Sequence, residues 1–382
     1  MTRVIRLLSR VDFVLLAAVL VLVMFGLVTM RSFDTGVLND YFFMRQFMWL
    51  FVSLSVFVGI TLADWSFLKT NSIFLLIGYA IGVGALLFLL IKGYSINGAQ
   101  SWIPVGPFHV EPVEFIKLIL VLVLAKYFSR RHVAIGRLRT LVASLAYAAI
   151  PIFLVLAQPD FGSAVVLGVL WLGMALVGEM RVRHLFSLTV LALVGLIVLW
   201  QFVFLPYQKA RIINFINPYQ DVRGAGYHAL QSMIAVGSGQ IFGKGIGYGT
   251  QSRLQFLPEH ETDFIFAAFA EEWGLIGVCF LFFFFGIVLW RILRASLYAE
   301  SNFEKLFGVG LALTIFFQAL IHIGMNIGLL PVTGLGMPFM SYGGSSLVSM
   351  FAGLGILQSF MWHRKGIILG SEERFTEGLV GS

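Results

Sequence analysis

Long apolar runs separated by short polar breaks fill the chain from one end to the other. The runs lie at about residues 11–30, 44–62, 71–91, 114–129, 140–157, 161–180, 185–205, 263–290, 306–327 and 344–362. Helices that cross a hydrocarbon layer of about 30 Å need about 20 apolar residues. Strands of an outer-membrane barrel would alternate polar and apolar positions instead. Backbone polar groups in hydrocarbon must be satisfied internally, so continuous runs of this length predict helices. The expected fold is an all-α polytopic membrane protein with about ten transmembrane helices. Its widest polar break, about residues 206–262, is an extracytoplasmic loop between the seventh and eighth helices.

Composition narrows the class further. Hydrophobic residues make up 59% of the chain and charged residues 12%, where a soluble domain carries about 25%. The net charge of +7 does not point to nucleic acid, because the basic residues sit in short clusters between apolar runs. Cys279 is the only cysteine, so no intramolecular disulfide is expected. Arg3, Arg6 and Arg10 precede the first run, which is too long for a signal-peptide core and lacks a small-residue cleavage site. With the N-terminus placed in the cytoplasm, Arg130, Arg131, Arg137, Arg139, Arg181, Arg183, Arg291, Arg294, Arg364 and Lys365 all fall inside. Such an excess of cytoplasmic Lys and Arg sets orientation, and an even number of spans then puts both termini inside. Residues 1–365 form the membrane domain and 366–382 a polar cytoplasmic tail.

The unusual sequence therefore lies outside. Besides the long loop, the outer segment 92–113 carries Gly98, Trp102, Pro104, Gly106, Pro107 and Pro112, and 328–343 is rich in Gly and Pro. The stretch 237–249 holds Gly237, Gly239, Gly243, Gly245, Gly247 and Gly249. It follows no strand, and Gly245 stands after Lys244 where a P-loop needs Ser or Thr, so it is neither nucleotide fingerprint. Two readings stand: a turn-rich loop, or a backbone surface beside a phosphate-bearing ligand, with Lys244 and Arg211 supplying charge. Glu114 and Lys117 share a helix face at the start of the fourth span. They are either a structural ion pair or part of a water-filled site. Glu271 and Glu272 lie two turns into the eighth span, so at least one faces inward. Asp263 opens that span, where an acid is favoured by the helix dipole. Glu259, His260, Glu261 and Asp263 match no standard metal spacing. His322, a lone histidine in a span, reads as a packed residue.

Taken in order, the motifs carry a resemblance. They are Gly98-Ala-Gln-Ser-Trp102, Glu111-Pro-Val-Glu-Phe-Ile-Lys117, Gln158-Pro-Asp-Phe-Gly162, Gly224-Ala-Gly-Tyr-His228, Gly243-Lys-Gly245 and Gly249-Thr-Gln-Ser252. Phe256-Leu-Pro-Glu259, Thr262-Asp-Phe-Ile-Phe-Ala267, Ala270-Glu-Glu272, Leu330-Pro-Val-Thr-Gly334 and Ser341-Tyr-Gly-Gly-Ser-Ser346 complete the set. The chain resembles the SEDS (shape, elongation, division and sporulation) family. Its ending, Gly353-Leu-Gly355 through His363-Arg-Lys365, is similar to the rod-elongation branch. The resemblance implies a peptidoglycan glycosyltransferase that polymerises lipid II at the outer face of the bacterial cytoplasmic membrane and releases undecaprenyl diphosphate. It implies Asp263 as the essential aspartate and Glu114 and Lys117 as the charged pair, with Glu259, Arg211 and Lys244 as further substrate-binding candidates. A divalent cation is compatible with the diphosphate-binding role. The implied partners are the nascent glycan strand, a single-span class B penicillin-binding protein and other elongation-complex membrane proteins. Val113, Glu261 and Gln255 depart from the family pattern, and the last two bear on which groups assist Asp263. A lipid II flippase and a structural scaffold are the alternatives. A transporter is expected to show paired broken helices at mid-membrane, and no such pair is legible.

Overall fold

The computed structural model describes residues 11–32, 41–92, 94–96, 99–106, 108–130, 138–178, 180, 182–203, 209, 212–213, 215–217, 225–254, 256–257 and 259–363. The apolar runs become helices α1 (Phe13–Ser32), α2 (Tyr41–Leu62), α4 (Ile73–Lys92), α5 (Pro112–Ser129), α6 (Leu138–Ala157), α7 (Phe161–Val177), α8 (Val182–Val198), α11 (Ile265–Leu297), α12 (Asn302–Asn326) and α13 (Gly344–Trp362). Short α3 (Phe67–Thr70), α9 (Ala225–Ser238) and α10 (Thr250–Arg253) lie between them. Seven of the described helices are long and apolar enough to cross a membrane. The other three expected spans are shorter or more charged: α7 and α8 have 17 residues each, and α5 carries Glu114, Lys117 and Lys126.

Local signals fix the helix starts. Pro112 opens α5, where its missing N–H costs nothing, with Glu114 in the positive first turn. Asp160 caps α7 by accepting the Ser163 N–H. Ser301 caps α12 by accepting the Glu304 N–H, and the Glu304 carboxylate reaches back to the Glu300 N–H. At the N-terminal end of α1, Asp12 accepts the Leu15 N–H and pairs with Arg291 of α11 at 2.6 Å.

Helices α5, α12 and α13 form the centre. α13 packs on α2 and α5, α12 on α5, α7 and α11, and α11 on α1. The outer faces of α2 and α4 expose Phe47, Phe51, Val58, Phe74, Ile77 and Ile81 to the lipid side. Small residues allow close approach: a side chain at Gly26 would overlap the Met340 carbonyl.

Two segments differ from expectation. The outer segment 92–113 folds into a small antiparallel sheet of β1 (Tyr94–Ile96), β2 (Ala99–Val105) and β3 (Phe108–Val110), with Tyr94 opposite Trp102 and Val105 opposite Phe108. The break 206–262 is not a plain loop, since it contains α9, which packs against α11.

The eighth span also departs from a regular helix. Gly274 has φ 65° and ψ −167°, so α11 is two helices joined at a break. A break strands main-chain groups, and the segment 239–245 satisfies them. Lys244 N and Gly245 N donate to the Glu271 and Glu272 carbonyls, and Leu275 N and Ile276 N donate to the Gln240 and Ile241 carbonyls, all within 3.1 Å. Only glycine fits this seam. A Cβ on Gly239, Gly243 or Gly274 would overlap main-chain atoms of the opposing segment. The tail 366–382 and the first ten residues lie outside the described residues.

Candidate functional site

A cavity of about 520 Å³ opens where the N-terminal ends of α2, α5, α7, α11 and α13 meet the 333–343 segment. Glu111, Glu114, Asp160, Glu259 and Asp263 line it, together with Arg45, Trp102 and Tyr342.

Asp263 stands one residue before the N-cap of α11 in a tight turn. Glu259 at φ 48° turns its carbonyl inward, where it accepts the N–H groups of Thr262, Asp263 and Phe264 at 3.2, 3.0 and 3.3 Å. The turn is clamped from the other side. Ser341 Oγ donates to the Thr262 carbonyl at 2.7 Å and Tyr342 N to the Glu261 carbonyl at 2.9 Å. The Asp263 carboxylate lies against Gly334, across from the N-terminal end of α5. Phe264, the N-cap of α11, has no side-chain cap.

The pair expected on α5 forms. Lys117 Nζ lies 2.7 Å from Glu114 Oε1 and 3.0 Å from Gln318 Oε1 of α12. Both are buried. Glu114 reaches the cavity, whereas Lys117 sits one layer beneath it among Leu118, Val121 and Thr314. Lys117 thus pairs with Glu114 from behind the cavity wall. Removing one partner of a buried pair leaves an uncompensated charge, typically at about 3–5 kcal/mol. Gln318 Nε2 also donates to the Gly336 carbonyl at 3.0 Å, and the His322 Nδ1–H group to the Leu335 carbonyl at 2.7 Å. His322 is fully buried and holds the cavity wall, in line with its reading as a packed residue.

Lys244 is placed elsewhere. The glycine-rich segment does build an anion cradle, but the chain's own Glu271 fills it. Its carboxylate accepts Lys244 Nζ at 2.6 Å, the Thr250 N–H at 2.8 Å and the Gln251 N–H at 3.1 Å. Glu272 accepts the Gly247 N–H at 3.1 Å. Lys244 is thus paired with a buried carboxylate and is not among the residues that line the cavity. Arg211 lies outside the described residues. Glu259 lines the cavity with an exposed side chain.

Three lining residues escaped the sequence reading. Glu111 and Asp160 belong to quoted motifs but drew no chemical reading on their own. Burial pushes the Glu111 carboxyl well above the usual range, helped by the neighbouring Glu114, Asp160 and Asp263 charges. Burial also raises Asp160, against the pull of its Ser163 hydrogen bonds. Arg45 is the lining arginine, its guanidinium 4.4 Å from the Tyr41 ring centroid. Only its folded surroundings distinguish it from other arginines at span ends. Among the described residues, no three His, Cys, Asp or Glu side chains stand close enough to hold a metal ion by themselves. A divalent cation shared between one or two carboxylates and a substrate phosphate is the form the donor set fits.

A carboxylate on the wall of a cavity that an arginine also lines suits proton transfer coupled to departure of an anionic group. Comparison with known proteins points the same way. A family model described as the FtsW, RodA and SpoVE cell cycle protein matches residues 7–366. The chain is 38% identical over 273 residues to the peptidoglycan glycosyltransferase MrdB of Escherichia coli K12, covering 72% of this chain and 74% of that one. It is 34% identical over 357 residues to the stage V sporulation protein E of Bacillus subtilis, covering 91% and 95%. Among solved structures, one chain of a peptidoglycan synthase complex coordinating polymerization and crosslinking superposes with a TM-score of 0.78 at 29% identity, covering 93% of this chain and 98% of that one. The rod shape determining protein RodA of Thermus thermophilus matches with a TM-score of 0.69 at 27% identity over the same shares.

Proposed function

The chain belongs to the FtsW, RodA and SpoVE family of SEDS proteins, and from that premise we propose that it is a peptidoglycan glycosyltransferase polymerising lipid II. The observation that carries the reading is Asp263, held on the wall of the outward cavity with Glu114 and Arg45. An acceptor sugar hydroxyl attacks the anomeric carbon of the lipid-linked donor. The Asp263 carboxylate takes the hydroxyl proton as the new C–O bond forms, and the bond to undecaprenyl diphosphate breaks. Negative charge grows on that leaving group. A guanidinium aimed at it stabilises the transition state more than the ground state, and Arg45 is the lining cation suited to the task. Glu114, backed by Lys117, and Glu259 contact the sugar hydroxyls or share a cation with the diphosphate. Arg211 stays a candidate for the same charge.

The rod-elongation branch is the finer assignment, supported by the ending from Gly353 to Lys365 and by the likeness to MrdB. The partner is a class B penicillin-binding protein that crosslinks the product. Purified protein with this partner and lipid II is expected to give a ladder of glycan strands on size separation, and less from the chain alone. No strands from the complex would overturn the assignment.

The site belongs at the outer face of the cytoplasmic membrane, with both termini inside. Labelling with a membrane-impermeant maleimide tests this. Ser252, in the same outer segment, is only 1% exposed and is a poor reporter, whereas Tyr248 is 70% exposed. In a Cys279→Ser background, Tyr248→Cys should label in intact spheroplasts. Labelling only after membrane disruption would reverse the orientation.

A further inference from the structure

Both main-chain groups of Asp263 are held. Its N–H group donates to the Glu259 carbonyl, and its carbonyl accepts from Asn326 Nδ2 at 3.0 Å. Asn326 is the last residue of α12, and its accessible surface is zero. Its Nδ2 donates a second bond, to the His322 carbonyl at 2.8 Å. Its Oδ1 accepts the Ala267 N–H at 3.1 Å and has the Ser232 hydroxyl 3.3 Å away, although that hydroxyl donates over the shorter distance of 2.8 Å to the Asn326 main-chain carbonyl. The amide is saturated on both its donor and its acceptor side.

These bonds explain a gap noted above. The first N–H groups of a helix lack intrahelical partners, and Phe264 provides no side-chain cap for α11. Asn326 supplies the cap from another helix. It takes the Ala267 N–H with its oxygen and the Asp263 carbonyl with its nitrogen, so one planar amide spans the entry of α11. Only a side chain with a donor and an acceptor side by side does both. Asn326 does not line the cavity, so it acts on the reaction through Asp263.

We propose that Asn326 is the positioning residue for Asp263: by binding the Asp263 carbonyl and the Ala267 N–H together, it fixes the rotation of the 263–267 turn and so the direction in which the carboxylate enters the cavity. The proposal rests on the polymerase reading. Displacing a catalytic group by about 1 Å costs about a hundredfold in rate.

Asn326→Asp is the sharpest test, because it keeps shape and acceptor but removes both donors. Asn326→Ala is the second variant, and Ser232→Ala the control. The control breaks the buried bond from the Ser232 hydroxyl to the Asn326 main-chain carbonyl without touching Asp263. Each is assayed as the complex with its transpeptidase partner on lipid II, with rates normalised to the folded, partner-bound fraction. Asn326→Asp and Asn326→Ala should lower kcat about tenfold to a hundredfold, leaving KM for lipid II within about twofold. Ser232→Ala should keep kcat within about twofold at a comparable fall in melting temperature. Unchanged kcat in either foldable Asn326 variant overturns the proposal. So does an equal loss in Ser232→Ala, because the effect would then follow the stability of the cluster. A wild-type complex that makes no glycan would instead overturn the polymerase reading itself.

Discussion

Asp263→Asn should abolish glycan polymerisation while the protein still inserts, folds and binds its partner. A sugar hydroxyl is a poor nucleophile, and a placed base contributes typically about 10²–10⁴-fold. Asparagine keeps the size of the side chain but cannot take the proton. The fold is insulated from the change, because the turn is held through main-chain atoms of Glu259, Thr262 and Asp263. A residue that merely started a helix would forecast otherwise, since asparagine is as good a helix-start residue. The check is lipid II polymerisation by the purified variant complex, beside a melting curve and partner pull-down. Near-normal strand synthesis would remove Asp263 as the base.

Gly243→Ala should have the largest effect on stability. Gly243 has φ 79°, where a side chain costs about 1–2 kcal/mol, and its Cβ would overlap the Glu272 carbonyl. Relief requires parting the 239–245 segment from α11, which puts four main-chain hydrogen bonds at risk, each worth about 0.5–1.5 kcal/mol. The variant is expected to lose several kcal/mol, seen as low yield and a much lower melting temperature in detergent. Two neighbours calibrate the result. Gly247 also has positive φ but open space around its Cβ site, so Gly247→Ala should cost only the conformational part. Gly237 lies in α9 with open space and no such φ, so Gly237→Ala should be neutral or stabilising by up to about 1 kcal/mol. Equal losses at Gly237 and Gly243 would refute the seam as the cause.

The spans were legible because hydrocarbon permits few solutions: a run such as 11–30 has to be a helix wherever its neighbours lie. The place of Asp263 at the start of a span was legible, and the structure puts it on the cavity wall. The break in α11 was not, because the apolar run continues through Gly274 and one glycine in a helix is unremarkable by itself. Its partner strip lies thirty residues earlier in the chain. The pairing of Lys244 with Glu271 was hidden for the same reason. A cation beside glycines suits a phosphate as well as a carboxylate, and Glu271 is distant in sequence. Arg45 could not be singled out, because its meaning comes from the cavity that α2, α11 and α13 assemble. The strands at 94–110 were hidden by glycines and prolines, which mark turns more strongly than pairing.

The break divides the labour of the longest helix. Below Gly274, the stretch Leu275–Leu297 reaches about 33 Å at 1.5 Å per residue, enough to cross the hydrocarbon alone. The shorter part above it starts beside Asp263 and is tied to α9 and α12. Bilayers differ in thickness by several ångströms, and helices answer such mismatch by tilting. Here the 239–245 segment binds main chain on both sides of the break, so it splints the joint and the two parts meet such a mismatch as one bent unit.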